Sequence, residues 1–261
     1  MKISFSKYHG AGNDFILIDN RLNKNELTKT QIAFLCNRHF GIGADGLMLL
    51  NKDKLFDFRM LYYNSDGNES TMCGNGGRCI TAFASDLGII ADKAYFIAVD
   101  GEHTSEIIDN SGKEKIVKLK MKDVSDFESY GNYFLIDTGS PHYVQFVEDL
   151  NDFDVYNKGK EIRNDFHIAP EGLNVNFVQI LSDKLFVRTF ERGVENETLA
   201  CGTGATASAL IYSQFNKSNH VDIVTLGGLL SVSYEKKTDK CFQNIYLQGP
   251  AKFVFAAEIE L

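Results

Sequence analysis

One nine-residue pattern occurs twice in this chain of 261 residues. It reads Asn-Glu-(Ser or Thr)-x-x-Cys-Gly-(Asn or Thr)-Gly and covers residues 68–76 and 196–204, so Cys73 and Cys201 occupy the same place in the two copies. The two cysteines are 128 positions apart, about half the chain, whereas solenoid repeats recur roughly every 20–50 residues. A half-length period therefore predicts two similar domains, each contributing one cysteine.

Short segments of alternating or continuous apolar residues dominate the chain and predict β-strands. Clusters of Gly, Asn and Asp separate them, as expected for the turns between strands. The strands are predicted at residues 15–19, 58–63, 117–121, 185–190, 221–225, 229–234 and 251–259. The last of these could complete the sheet of either domain.

Helices are predicted at three places. Thr28 and Gln31 form a capping box that starts the first, and Gly41 is a plausible C-cap for it. The other two follow the repeated cysteines: one runs from near Gly74 to before residue 88, and the other from near Gly202 to residue 215. Their sequences are almost free of charge, and a helix without a polar face must be surrounded by protein.

These patterns predict an α/β (α+β) fold of two pseudo-symmetric domains, each a curved, mostly antiparallel sheet wrapped around a central helix. The first domain is assigned to residues 1–122 plus 250–261 and carries Cys73. The second is assigned to residues 123–249 and carries Cys201. The active site is expected in the cleft between the two domains.

Composition excludes several classes of protein. The net charge of −8 lacks the basic footprint of a nucleic-acid-binding protein. No apolar run approaches the length of a membrane span, and the N-terminus has no apolar signal region. The five cysteines are odd in number, which favours a reducing compartment. We therefore expect a cytoplasmic protein, with a small molecule rather than a nucleic acid or a membrane as its partner.

The two cysteine turns combine three useful properties. The N-terminus of a helix has unpaired N–H groups and a positive dipole end, which lower the pKa of a thiol placed there and can hold a carboxylate. The glycines allow the backbone to approach a ligand closely. Two such turns facing one ligand could remove a proton from one face of a carbon atom and return another to the opposite face.

Other kinds of site fit these residues less well. The glycines have neither Rossmann nor P-loop spacing, and the pair Cys73 and Cys79 lacks the second pair or the histidines of a zinc site. A thiol redox sensor and an anion-binding module remain as alternatives from other functional classes. The remaining cysteines, Cys36, Cys79 and Cys241, are expected to be small buried apolar residues.

Together with the repeated turns, six segments resemble the diaminopimelate epimerases, a family of pyridoxal-phosphate-independent amino-acid racemases. They cover residues 7–15, 37–45, 64–67, 139–142, 174–177 and 191–193, so the resemblance runs nearly from end to end. It implies epimerisation of LL-2,6-diaminopimelate to the meso isomer in lysine and cell-wall precursor biosynthesis. It also implies a two-base thiolate and thiol mechanism without a cofactor or a metal.

The resemblance assigns roles to individual residues. Cys73 and Cys201 are the catalytic thiols, and His142 and Glu191 are implied to tune their pKa values. Substrate contacts are implied for Asn13, Asn64, Gly74, Asn75, Asn174, Glu191, Arg192, Gly202 and Thr203.

The chain departs from the family pattern in three places. Residues 193–197 are one residue longer than the common form, which is expected to shift how Arg192 reaches the cleft. Gly46 stands where the family often has Gln, and Ser140 replaces the Asn that precedes Pro-His, so both contacts are in question. Proline racemase-like enzymes are rivals of the same fold, but they usually have His where this chain has Asn75. Phenazine-biosynthesis isomerase-like enzymes lack this pair of cysteines. The sequence leaves a monomer and a homodimer open.

Overall fold

The computed structural model describes residues 2–22, 26–112, 114–168 and 170–261. The chain divides into two compact units. The first is formed by Met1–Leu119 and Gly249–Leu261, and the second by Lys120–Gln248. Each unit carries one copy of the cysteine turn.

The first unit is a ring of strands with two helices. In chain order its elements are β1 (Lys2–Gly10), β2 (Asn13–Asp19), α1 (Lys29–Cys36), β3 (Gly46–Asn51), β4 (Phe58–Asn64), β5 (Glu69–Ser70), α2 (Gly74–Asp86), β6 (Lys93–Ala98), β7 (Gly101–Asp109), β8 (Glu114–Lys120) and the second part of the last strand. That last strand pairs with both β8 and β1, so the ring is closed. A closed sheet leaves no edge exposed.

From β10 onward, the second unit has the same order of strands and helices. Its elements are β9 (Glu128–Tyr130), β10 (Tyr133–Asp137), β11 (Pro141–Phe146), α3 (Val155–Arg163), β12 (Asn174–Ile180), β13 (Lys184–Glu191), β14 (Asn196–Thr198), α4 (Gly202–Tyr212), β15 (His220–Thr225), β16 (Gly228–Lys236) and β17 (Phe242–Glu260). β17 pairs with β16 through its first residues and belongs to the first unit from Gly249 onward.

The order of strand pairing is the same in the two units. In the first, β1–β2, β3–β4, β6–β7 and β7–β8 are antiparallel, while β2–β3 and β4–β6 are parallel. In the second, β10–β11, β12–β13, β15–β16 and β16–β17 are antiparallel, while β11–β12 and β13–β15 are parallel. The sequence repeat is therefore a structural repeat, and the predicted fold of two similar, mostly antiparallel halves is confirmed.

Each unit places one helix of few charges in its interior. The first eleven residues of α2 are all buried, and even Arg78 among them is fully buried. In α4 most residues are buried as well, including Ala205, Leu210 and Ile211. The shorter helices α1 and α3 pack with other apolar clusters, around Ile32 in the first unit and Val155 in the second. The absence of a polar face thus predicted the central helices correctly.

Several details differ from the sequence-based expectation. α1 has the predicted capping box, but it ends at Cys36 with Asn37 as C-cap, so Gly41 does not terminate it. α4 ends at Tyr212, three residues before the predicted end. α3 was not predicted, because its apolar face is short and interrupted by Gly159. Cys241 is only partly buried, whereas Cys36 and Cys79 are buried as expected.

The last strand was predicted to begin near residue 251, but β17 already begins at Phe242. Its nineteen residues serve both sheets, which resolves the question of which domain it completes. Among the helices of the described residues, none is long and apolar enough to span a membrane.

Candidate active-site residues

The two repeated cysteines occupy equivalent positions. Cys73 is the N-cap of α2 and Cys201 is the N-cap of α4, and both have an extended backbone, with φ and ψ of −91° and 135° and of −112° and 112°. The carbonyl of each cysteine accepts the first helical hydrogen bond, from Gly77 N at 2.7 Å and from Ala205 N at 2.9 Å. Both cysteines therefore stand at the N-terminus of a helix, the end at which the helix dipole stabilises an anion.

In the first unit, Asn13 at the start of β2 contacts the cysteine. Its Oδ1 lies 3.6 Å from Cys73 Sγ and accepts a hydrogen bond from Asn75 Nδ2 at 3.3 Å. Its Nδ2 donates to Asp45 Oδ2 at 2.6 Å, which fixes the orientation of the amide. Three predicted site residues, Asn13, Cys73 and Asn75, are thus brought together by direct contacts.

The carboxylate of Asp45, which binds the Asn13 amide, belongs to a cluster of charged residues. Arg38 Nη2 lies 2.7 Å from Asp14 Oδ1 and 2.6 Å from Asp45 Oδ1, and Lys7 Nζ lies 2.8 Å from Asp14 Oδ2. Burial raises the pKa of Asp14, but the hydrogen bonds from Arg38 and Lys7 outweigh it and hold the pKa well below its usual range. None of these four residues was assigned a role from the sequence. Their signal was their place within two of the segments that resemble the family, 7–15 and 37–45.

Asn64 and Gly46 face each other across β3 and β4. Asn64 is exposed at the end of β4, and its backbone N–H donates to Asn68 O at 2.9 Å. A Cβ atom on Gly46 would lie 2.5 Å from Cε2 of Tyr62 and 2.7 Å from Tyr63 O. The ring of Tyr62 therefore fills the space that a glutamine side chain would need at position 46, which gives the departure from the family pattern a steric reason.

In the second unit, a series of polar contacts connects Asn176 on β12 with the thiol of Cys201. Asn176 Nδ2 lies 3.0 Å from His142 Nδ1, and His142 Nε2 lies 3.1 Å from Ser140 Oγ. Ser140 Oγ is 3.4 Å from Thr203 Oγ1, which is 3.5 Å from Cys201 Sγ. The substituted Ser140 thus contacts both predicted residues, His142 and Thr203.

Which group donates in each of these hydrogen bonds follows from the partners of Asn176. Thr189 Oγ1 donates to Asn176 Oδ1 at 2.9 Å, so Asn176 Nδ2 must be the donor to His142 Nδ1. The proton of the neutral imidazole then resides on Nε2 and points to Ser140 Oγ. Burial, and to a lesser extent the charge of Arg192, lowers the pKa of His142 to about 3. His142 is therefore a neutral donor at physiological pH.

Asn174 joins three segments of the second unit. Its Nδ2 donates to Ser140 Oγ at 2.9 Å, and its Oδ1 accepts from the backbone N–H of Arg192 at 2.9 Å. The guanidinium of Arg192 donates to Gly172 O at 3.2 Å, while Glu191 Oε2 accepts from Thr198 Oγ1 at 2.9 Å. These contacts order the end of β13 beside the second cysteine turn.

Asn176 was missed as a site residue, although a signal was present. It lies two positions after Asn174 on β12, and residues at that spacing share one face of a strand. Two buried asparagines on one face indicate a polar network in an otherwise apolar sheet.

Comparison with known proteins agrees with this architecture. The family model described as diaminopimelate epimerase matches residues 5–125 and 134–254. The diaminopimelate epimerase of Flavobacterium psychrophilum is 51% identical over 257 residues, which cover 97% of this chain and 98% of that protein. The diaminopimelate epimerase of Chlorobaculum tepidum is 44% identical, with 97% and 99% coverage.

Solved structures with the same fold are more distant in sequence. A phenazine biosynthesis protein of the PhzF family from Bacillus anthracis superimposes with a TM-score of 0.76 at 14% identity, over 100% of both chains. A hydroxyproline epimerase from Agrobacterium vitis gives 0.70 at 14% identity, over 100% of this chain and 93% of the other. At this identity the likeness shows the fold alone. With the family model covering most of its length, the chain belongs to the diaminopimelate epimerase family.

Proposed function

We propose that this protein converts LL-2,6-diaminopimelate to meso-2,6-diaminopimelate by a two-base mechanism without a cofactor. The observation that carries the proposal is the pair of equivalent N-cap cysteines, Cys73 on α2 and Cys201 on α4. Family membership and relatives that bear the name diaminopimelate epimerase support the choice of substrate.

In the proposed reaction, one thiolate removes the α-proton while the other thiol delivers a proton to the opposite face. The α-carboxylate is held by the N–H groups that begin α2 and α4, at Gly74, Asn75, Gly202 and Thr203. These donors stabilise the charge that develops on the carboxylate as the proton leaves, which is the role of an oxyanion hole. The substrate must bring both thiols to within reacting distance of one carbon, about 3–3.5 Å on each side.

The remaining predicted residues recognise the substrate. We assign Asn13, Asn64 and Asn174 to its polar groups, and Glu191 and Arg192 to its ammonium and carboxylate charges. His142 acts in this scheme through Ser140 and Thr203. Its neutral imidazole donates a hydrogen bond to Ser140, which in turn contacts Thr203 beside the thiol of Cys201. We further propose a cytoplasmic enzyme of lysine and cell-wall precursor biosynthesis, with a small amino acid as its partner.

The first test is turnover. Purified protein incubated with LL-diaminopimelate should form the meso isomer, and proline should not be racemised. Cys73→Ala and Cys201→Ala should each lower the rate about 10²–10⁴-fold, the usual effect of losing a positioned acid or base. Cys241→Ala is the matched control and should retain activity, because Cys241 lies outside both turns. Racemisation of proline without turnover of diaminopimelate would favour the rival enzymes of this fold.

Solvent deuterium tests whether the two thiols divide the work. Starting from the LL isomer in heavy water, early meso product should carry deuterium at the inverted carbon, while recovered LL substrate should remain largely protiated. A single base serving both faces would label substrate and product together. Mass spectrometry of the separated isomers at low conversion distinguishes these outcomes, and equal label in both would contradict the two-base mechanism.

A further inference from the structure

Arg78 is a fully buried cation one turn into α2. Its guanidinium donates to three neutral oxygens: Asn75 Oδ1 at 2.8 Å, Gly74 O at 3.3 Å and Pro250 O at 3.4 Å. None of the ion pairs formed by the described residues involves Arg78. A buried guanidinium remains protonated and is costly without a nearby negative charge.

Two acids are electrostatically coupled to this cation. Burial lowers the pKa of Arg78, and negative charge on Cys79 or Cys73 opposes that shift. Cys79 is fully buried, and its burial raises the pKa of the thiol to about 12. Cys79 is therefore a neutral thiol at physiological pH. Of the two acids that interact with Arg78, this leaves Cys73 to be considered as its counter-charge.

The surrounding elements hold other ionisable groups, but those nearest the turn have partners of their own. The strands that pack against α2 are β1, β2, β3 and β7, and their ionisable side chains are Lys2, Lys7, Tyr8, His9, Asp14, Asp19, Glu102, His103, Glu106 and Asp109. Asp14 is paired with Lys7 and Arg38, and Asp100, which accepts from Met72 N, is paired with His103. α2 itself adds Asp86 at its far end.

Hydrogen bonding from Arg78 also fixes the side chains around Cys73. Because Arg78 Nη2 donates to Asn75 Oδ1, the Nδ2 group of Asn75 is directed to Asn13 Oδ1. Asn13 Oδ1 is in turn 3.6 Å from Cys73 Sγ, a contact that favours the protonated thiol. A hydrogen bond to sulfur at this distance is weak, whereas a buried charge without a counter-charge is strongly unfavourable, so the charge of Arg78 dominates.

The second cysteine turn has no equivalent cation within its repeat. Arg78 lies five residues after Cys73, and the residue five positions after Cys201 is Thr206. Thr206 Oγ1 donates to Gly202 O at 2.9 Å, which matches the bond from Arg78 to Gly74 O. The repeated segment thus keeps the helix geometry, but at this position it carries a permanent charge only in the first unit.

We propose that Arg78 is a positioning residue that stabilises the thiolate of Cys73 over that of Cys201, so that the two turns are chemically unequal before substrate binds. The proposal rests on the proposed function, since it takes Cys73 as an acid–base group of the reaction. The isomer whose α-hydrogen faces Cys73 would then meet the enzyme in its resting protonation state.

The test is the pH dependence of alkylation at each cysteine, because only the thiolate reacts. The protein is treated briefly with iodoacetamide between pH 5 and 10, and the labelled Cys73 and Cys201 peptides are quantified by mass spectrometry. In the wild type, the midpoint for Cys73 should lie at least about one pH unit below that for Cys201. Limited access of iodoacetamide to a thiol changes the rate of its alkylation but not the pH at the midpoint. The measurement does not depend on turnover of a substrate.

Variants separate charge from packing. Arg78→Met should reduce alkylation of Cys73 at pH 7 about tenfold or more and leave Cys201 unchanged. Arg78→Lys retains the charge and should restore most of the Cys73 rate, whereas Thr206→Val, at the equivalent place in the other turn, should alter neither midpoint. Equal midpoints in the wild type would overturn the proposal even if Arg78→Met failed to fold. An unchanged Cys73 midpoint in a folded Arg78→Met protein would do so as well.

Discussion

The third residue after each repeated cysteine is a glycine, and the structure predicts opposite outcomes for the same substitution at the two sites. A Cβ atom on Gly204 would lie 2.2 Å from Asn176 Oδ1, far inside contact distance. A Cβ atom on Gly76 would lie 2.8 Å from Met48 Cε, the end of a flexible side chain. Gly204→Ala must therefore displace a buried amide, whereas Gly76→Ala needs only a rotation of a methionine.

The size of the effect follows from the bonds of Asn176. Its amide accepts from Thr189 Oγ1 at 2.9 Å and donates to His142 Nδ1 at 3.0 Å and Tyr143 O at 2.9 Å. Each buried hydrogen bond contributes about 1 kcal/mol, and groups left without a partner cost more. Replacing a helical glycine by alanine gains up to about 1 kcal/mol at both sites, so this term cancels in the comparison. We expect Gly204→Ala to be about 2–4 kcal/mol less stable than Gly76→Ala.

Urea denaturation at pH 7, followed by far-ultraviolet circular dichroism because the chain has no tryptophan, measures the free energy of unfolding of both variants. Because the chain has two units, hydrogen exchange of peptides from β12 should locate the loss in the second unit. Gly204→Ala should also reduce activity, since Asn176 holds the imidazole of His142. Equal stabilities of the two variants would refute the argument.

Two further predictions follow from buried groups. Gly46→Gln should lower the free energy of unfolding by about 1–3 kcal/mol, because its Cβ would lie 2.5 Å from the Tyr62 ring. Gly112→Gln, at an open site, is the control. Equal stability of the two variants would contradict the predicted clash with Tyr62. His142 has its pKa lowered from 6.5 to about 3, so the unfolded chain binds its proton first as the pH falls. Between pH 7 and 5 the wild type should therefore lose about 2 kcal/mol more of its free energy of unfolding than His142→Gln, as measured in urea titrations. Equal losses in the two proteins would show that His142 is not buried in its neutral form.

Much of the fold could be predicted because its signals are local. The capping box at Thr28, the alternating residues of β4 and the largely apolar helices after both cysteines each depend on a few neighbouring side chains. α3 was missed because its nine residues bury only Val155 and Gly159, too few for a helical period to be visible. Helix ends were displaced by several residues, since packing rather than propensity decides where a buried helix stops.

For the candidate site, the sequence by itself determined the pair of cysteines, their place at the start of buried helices and the polar residues of the surrounding segments. Only the tertiary structure decided how those residues act on one another. The bond from Arg78 to Pro250, the contact of Ser140 with Thr203 and the Tyr62 ring over Gly46 all join positions that are distant along the chain or lie on neighbouring strands. A residue's type fixes what bonds it can form, but its partners depend on strand register and side-chain burial, which only the folded chain sets.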